Sequence, residues 1–488
     1  MVTVSLFLAL ALVSSTVVAQ PGTNGLASLF ACFKQQTTSE ISTKSVYEWI
    51  PPSKTAPAPT SNRNSLKIGL KYILQKLKLR SNQFKRRTSF TDHFGVTHLY
   101  GIPLHEGLLV GNLHAAVHVK DGVVVSKESF KRGFTYKAVN LPNESPNDGF
   151  STIVDPENIQ SSPKGWTEGF RTIGNNVWAN AEGGRLFETT TKGVFSGIFD
   201  PMLPPQTPQN TAVGIINAFY VANMLHDITY QYGFTEKAGN FQMNNFNKGG
   251  KGKDPVIIDI QSSKETDSAE FSTPLDGYPG VLTLYIYTAT KPNRDPALDS
   301  TILIHELTHG LSDRLTGGAQ TKMCMTDTES LGLSEGYSDI VAMILTAKPV
   351  DTRNTIKVIG EYVKGNSRGV RRYPYTTDMD VNPLAYKDAV GEKDPYRLGT
   401  IWATMLWEVY WNFVDAHGFS ANLHDATQSK GNIIFLQLLV GTLMIQPCDP
   451  TFISARDAML ATDHAYYGGV HEHLIRQGFA KRGLGSIS

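Results

Sequence analysis

The chain is poor in cysteine: Cys32, Cys324 and Cys448 are the only three among 488 residues. So few exclude a disulfide scaffold and any cysteine-rich zinc finger; at most one intramolecular bridge can form, with one thiol left over. An excess of charge is also missing, with 45 Lys and Arg against 44 Asp and Glu. A balance this close argues against nucleic-acid binding driven by bulk charge. After residue 19 no stretch of 18 uncharged apolar residues occurs, so no membrane span is expected in the mature chain. No internal repeat is present.

What is there begins with residues 1–19, MVTVSLFLALALVSSTVVA, apolar from Leu6 to Val13 and ending in Val17-Val18-Ala19. Without Lys or Arg, only the α-amine gives a positive start, yet the small-residue end reads as a secretory signal peptide. Ser14, Ser15 and Thr16 interrupt the run before it could span a bilayer, so a secreted, extracellular protein is expected. Residues 20–132 carry 16 Lys and Arg against 6 Asp and Glu, and residues 133–488 carry 29 against 38. A basic front piece and an acidic main body should attract each other. Within the front piece, PPSKTAPAPTSNRN at 51–64 reads as a linker. Leu66 to Arg87 reads as a basic amphipathic stretch, either a solvated helix face or a docking element. Residues 96–128 read as strands, with alternation at Val117, Val119, Val123 and Val125 and a turn at Asp121-Gly122. The dibasic pair Lys131-Arg132 sits where the charge balance changes sign and reads as a processing site.

The remainder is expected to be α+β. Residues 133–210 are rich in Gly, Pro and Asn, hence loops and short strands; residues 213–232 read as a helix, and VLTLYIYTA at 281–289 as a strand. From Thr301 onward helical patterns dominate. His226-Asp227 lies in an apolar helix beside Ile216, Phe219 and Leu225, where a structural histidine is the better reading. His471-Glu472-His473 has a spacing that points the two rings apart on a helix, so a surface cluster is expected instead of a second metal site. Asn143-Glu144-Ser145 is a glycosylation sequon followed by Pro146.

The chemistry concentrates at His305-Glu306-Leu307-Thr308-His309. On a helix, positions i and i+4 lie one turn apart on one face, so both imidazoles can reach a single zinc, with Glu306 projecting beside them toward the metal-bound water. Ile304, Leu307, Leu311 and Leu315 form an apolar stripe; Asp299 and Ser300 supply capping residues, and Gly317-Gly318 closes the helix. Catalytic zinc needs a third protein ligand. The His-x-x-Gly-x-x-His continuation is absent, because Ser312 and Leu315 occupy the places of Gly and His. The best candidate is Glu335, 26 residues past His309, with Asp339 one turn later able to fix the tautomer of a ligand histidine. A solvated helix face is the competing reading of Glu335 and Asp339.

These residues carry a specific resemblance. HELTHGLSDRLTGG at 305–318 with LSEGYSD at 333–339 resembles the fungalysin family of secreted metallopeptidases, relatives of thermolysin. Blocks such as YPYTTDMDVNP (373–383), GTIWATMLWEVYWN (399–412) and QPCDPTFISARDAML (446–460) follow in the family's order, and residues 97–126 are similar to the first part of its propeptide. The resemblance implies one zinc on His305, His309 and Glu335, Glu306 as catalytic base, and endopeptidase action on protein substrates. It also implies a signal peptide at 1–19, a short α+β propeptide at 20–132 and a two-lobed thermolysin-like mature domain at 133–488. The β-rich lobe is expected at about 133–300 and the helical lobe at 301–488. Its partners would be substrates and its own propeptide, with no nucleic acid and no membrane.

The chain departs from the family's pattern at several points. The second propeptide unit is missing, and Ser268-Ala269 stands where the family tends to have Asn-Ala facing the substrate backbone. Tyr396 stands where an imidazole usually stabilises the transition state, just before a helix expected from Gly399. A phenol also donates a hydrogen bond and stays protonated at neutral pH, which makes Tyr396 the expected oxyanion donor and Arg397 its rival. The cysteine that often accompanies the one in QPC is absent; a Cys324–Cys448 bridge is compatible with secretion, but the sequence does not fix the pairing. The alternative function is a catalytically weak, secreted zinc-binding protein of the same fold, which the changes at Ser268 and Tyr396 would suit.

Overall fold

The computed structural model describes residues 134–485 except 322, and ahead of them residues 5–8, 46–49, 62–76, 81–91, 97–105, 108–109, 115–120 and 123–124. Most of the signal stretch, Cys32, most of the 51–64 linker and Lys131-Arg132 lie outside the described residues. The chain separates into two compact units, Met1–Gly133 and Phe134–Ser488.

In the first unit, strands β1 (Ser5–Leu8) and β2 (Val46–Trp49) are followed by helix α1 (Asn62–Lys76). Strands β3 (Phe84–Thr91), β4 (Thr97–His105), β5 (Leu108–Leu109), β6 (Ala115–Lys120) and β7 (Val123–Val124) complete it. The sheet runs β2-β1-β6-β4-β3, with β5 on β4 and β7 on β6. Val119 pairs with Val124 and Lys120 with Val123, so β6 and β7 are paired strands as the alternation suggested, and the expected turn at Asp121-Gly122 lies outside the described residues. The stretch from Leu66 to Arg87 is not one element. It is a helix to Lys76 and a strand from Phe84, because β3 pairs along its length with β4, from Phe84 opposite Pro103 to Thr91 opposite Thr97. Neither is the helix face simply solvated: Leu66, Leu70 and Leu74 pack on buried Phe84, Leu99 and Val119.

The second unit begins with β8 (Thr135–Ala138), β9 (Ser151–Val154), β10 (Val177–Ala181), β11 (Arg185–Leu186) and β12 (Val194–Phe195). Helix α2 (Pro208–Gln231) precedes β13 (Val256–Ser262), β14 (Ala269–Ser272) and β15 (Val281–Tyr285). A five-stranded sheet runs β11-β10-β13-β15-β14, with β14 on its edge, and a smaller sheet runs β12-β8-β9. The parallel pairs β10–β13 and β13–β15 contain the buried Val177, Ile258, Ile260 and Leu282. Such burial is what a covered parallel sheet requires.

Helices follow: α3 (Ser300–Leu315), α4 (Thr328–Leu345), the single turn α5 (Glu361–Lys364), α6 (Pro395–His417), α7 (Gly431–Ile445), α8 (Phe452–Tyr467) and α9 (Glu472–Lys481). The architecture is therefore α+β, strands first and helices after. Trp402, Trp407 and Tyr410 on α6 and Phe435 on α7 are fully buried. Each such side chain contributes about 1.5–3 kcal/mol, so packing rather than helix propensity holds this half together. No described helix is long and apolar enough to cross a membrane.

Two close approaches depend on glycine. Helices α4 and α6 touch backbone to backbone where a Cβ on Gly399 would lie 2.4 Å from the Cβ of Glu335. At the end of α3, Gly317 has φ +72°, and a Cβ there would meet Cys324 Sγ at 2.3 Å. That cysteine is bonded to Cys448, across 124 residues of sequence, with Cα atoms 4.3 Å apart. The bridge ties the α3–α4 loop to the loop between α7 and α8.

Candidate metal centre

Helix α3 starts where the Asp299 carboxylate accepts the backbone N–H groups of Thr301 and Ile302 at 3.1 and 3.4 Å. Such a cap fixes the helix register at its first turn. Two turns on, His305 and His309 project from one face with ring centroids 4.9 Å apart and planes at 86°. Helix α4 brings Glu335 opposite them, its two oxygens each 3.4 Å from one Nε2. The ligand-type atoms of His305, His309 and Glu335 all lie within 4.8 Å of one another.

Both Nδ1 atoms face away, toward α4. That of His305 is 2.7 Å from Asp339 Oδ1, and that of His309 is 2.9 Å from Ser334 Oγ. With Nδ1 engaged, each ring presents Nε2 to Glu335. Arg371 closes the network: its guanidinium donates to both oxygens of Asp339 and, at 2.9 Å, to Glu335 Oε2. The Tyr375 hydroxyl also donates to Asp339.

Charges here are strongly coupled. Burial works against protonation of His305, but Glu335 and Asp339 outweigh it and push its pKa up to about 10. Burial would likewise raise Glu335, yet His305 and His309 hold it well below the usual carboxylate range. Against burial, Arg371 and His305 hold Asp339 down to about 2. The cluster thus favours positive charge at the point the two Nε2 atoms share, and the two imidazoles and one carboxylate fit a divalent transition metal.

Glu306, 8% exposed, follows His305 on α3 and lines an open cleft of about 950 Å³ together with His305, His309 and Glu335. Burial pushes its carboxyl up, opposed by His305 and His309. The matching family model, described as fungalysin metallopeptidase, covers residues 135–488. The chain belongs to the fungalysin metallopeptidase family.

Relatives agree in kind. Extracellular metalloproteinase 2 of Arthroderma otae is 38% identical over 411 residues, 77% of this chain and 65% of that protein. Extracellular metalloproteinase 1 of Trichophyton equinum is 40% identical over 367 residues, 72% of this chain and 60% of that protein. This fungalysin chain thus spans less than two thirds of their length. Among solved structures, the precursor of protealysin, a metalloproteinase from Serratia proteamaculans, aligns with TM-score 0.40 and 11% identity, covering 64% of this chain and 86% of that one.

Tyr396 lines the same cleft, 58% exposed, with its ring centroid 5.4 Å from the Arg371 guanidinium carbon. It does not precede the helix, as the sequence suggested, but sits in its first turn: α6 starts at Pro395, and Asp394 accepts the Tyr396 N–H at 3.0 Å. The negative charge of Glu335, then burial, raises the Tyr396 pKa, so the phenol keeps its proton. Arg397 is paired with Glu392 at 3.1 Å. Ser268 adjoins β14, whose outer edge is unpaired among the described residues.

Two readings outside the cleft come out differently. His226 is structural, 3.0 Å from Asp227, which also accepts from Trp166 and Ser162. His471, expected on the surface, is 7% exposed and its Nδ1 lies 2.8 Å from buried Asp463. It precedes helix α9 rather than lying within it, so helical spacing did not govern its direction. Arg371, Ser334 and Tyr375 were not singled out from sequence. Arg371-Arg372 stands just ahead of the YPYTT block, and that placement was the only signal for it.

Proposed function

We propose that this chain is a secreted zinc endopeptidase, with the metal held by His305, His309 and Glu335. The observation that supports it most is the convergence of both Nε2 atoms on the Glu335 carboxylate at 3.4 Å, beside Glu306 on the wall of an open cleft. Bound zinc would supply a Lewis acid that polarises a carbonyl and brings the pKa of water toward about 7. Asp339 holds the His305 tautomer, and Ser334 does the same for His309. Glu306 takes a proton from the attacking water onto its carboxylate and delivers it to the leaving nitrogen. The Tyr396 hydroxyl donates a hydrogen bond to the oxygen on which charge develops. An extended substrate lies along the free edge of β14.

The same proposal assigns residues 1–19 to a signal peptide, 20–132 to a propeptide cut near Lys131-Arg132, and 133–488 to the mature enzyme. The charge imbalance between the parts predicts an association that weakens with salt. Ser268 and Tyr396 favour one rival, a catalytically weak zinc-binding protein of the same fold. Casein digestion by the secreted protein, with and without a zinc chelator, separates them. Chelator-sensitive internal cleavage supports the peptidase; stoichiometric zinc with no cleavage supports the rival. N-terminal sequencing near residue 133 rather than residue 20 supports the processing step.

A further inference from the structure

Four residues past His309 on the same helix stands Asp313, which lines the main cleft and also a smaller adjoining hollow of about 580 Å³. Other acids on this wall are already engaged. Asp267 accepts from the Thr288 N–H and hydroxyl, and Glu270 accepts from the Tyr285 hydroxyl at 2.6 Å. His309 is the charged group that faces Asp313, and Asp313 forms no ion pair with a lysine or arginine among the described residues. Arg314, next to it, lines the smaller hollow, but its guanidinium is held by Asp254 and by the carbonyls of Pro274, Leu275 and Tyr278. Lys364, Arg371, Arg372 and Arg397 line the cleft too, but as a separate set from α5, the loop after it and α6. A partly buried carboxylate without a cation is costly, and an incoming cation offsets that cost.

Reach decides which part of a substrate meets it. Four residues of helix rise about 6 Å, the length of about two residues of extended peptide. We propose that Asp313 is a specificity-determining residue that receives a lysine or arginine side chain of the substrate, at a position within two residues of the cleaved bond. The hollow bounded by Pro274, Tyr278 and Met323 gives the aliphatic stem of such a side chain an apolar wall. This inference rests on the endopeptidase reading given above.

The test uses the full secreted chain and paired peptides that differ only by Lys or Leu at each of the four positions flanking the cut. At one position the wild-type kcat/KM should favour Lys by about tenfold, the size of a partly desolvated ion pair. The Lys-to-Leu ratio should fall about tenfold in Asp313→Asn, persist in Asp313→Glu, and decline for the wild type as ionic strength rises. A wild-type ratio near one at all four positions overturns the proposal. So does an Asn variant that slows both peptides equally, because Asp313 would then act through His309. A wild type that cuts no peptide overturns the peptidase reading itself, a result distinguishable from both.

Discussion

Asp339 accepts from the Nδ1 of His305 at 2.7 Å while Arg371 grips both of its oxygens. The carboxylate is thereby fixed from two sides, and it sets which nitrogen of His305 faces Glu335. Asp339→Asn keeps the shape but loses the charge. Metal affinity should fall about 10–100-fold, as measured by competition with a chromogenic chelator, while the far-ultraviolet circular dichroism stays that of the parent.

Removing the proposed base and removing the proposed ligand should separate cleanly. Glu306→Gln is expected to keep its metal and lose about 10²–10⁴ in kcat. Glu335→Ala is expected to be purified without stoichiometric metal. Metal analysis beside a casein assay reads both, and full metal in Glu335→Ala would remove that residue from the site.

Tyr396→Phe deletes one hydroxyl at the cleft wall and should cost about 10²–10³ in kcat, with metal content unchanged. Stopped assays on a single peptide measure it. Wild-type turnover in the Phe variant would sink the donor role, and a comparable loss in Arg397→Ala alone would transfer it.

Gly399 lets α6 pass close to Glu335. A methyl group there would stand 2.4 Å from the Glu335 Cβ, a distance neither helix tolerates, so α4 must shift. Gly399→Ala should therefore weaken metal binding and lower the thermal midpoint together. A variant equal to the parent in both would show that the helices adjust without moving Glu335.

Breaking the Cys324–Cys448 bridge should destabilise the second unit by about 2–4 kcal/mol, as loss of a long-loop cross-link usually does. Cys448→Ser compared with the parent in a urea titration measures the change. An equal midpoint under oxidising conditions would remove the bridge as a source of stability.

Much of the candidate site was legible because its logic is local. His305, Glu306 and His309 share one helical turn, and a period of 3.6 residues is enough to set them on one face. Asp299 capping α3 and Gly317 ending it are likewise short-range features, readable from residue type. Ser334, Arg371 and Tyr375 were not legible, since each matters only through a partner on another element: Ser334 through His309, 25 residues away, and Arg371 through Asp339, 32 away. Their residue types are common on any surface, and lying in or just ahead of the LSEGYSD and YPYTTDMDVNP blocks does not say which partner each one meets.

By itself the sequence determined that a strand-rich half precedes a helical one, that α3 carries two imidazoles on one face, and that one bridge at most could form. Only the tertiary structure decided which carboxylate meets those imidazoles, which cysteines pair, and that Tyr396 belongs to the first turn of α6. It also decided that His471 is buried against Asp463. The reason is the range of the forces involved. Hydrophobic periodicity and capping act within a few residues, whereas a carboxylate's pKa, a glycine contact or an ion pair depends on which distant segments packing brings within about 4 Å.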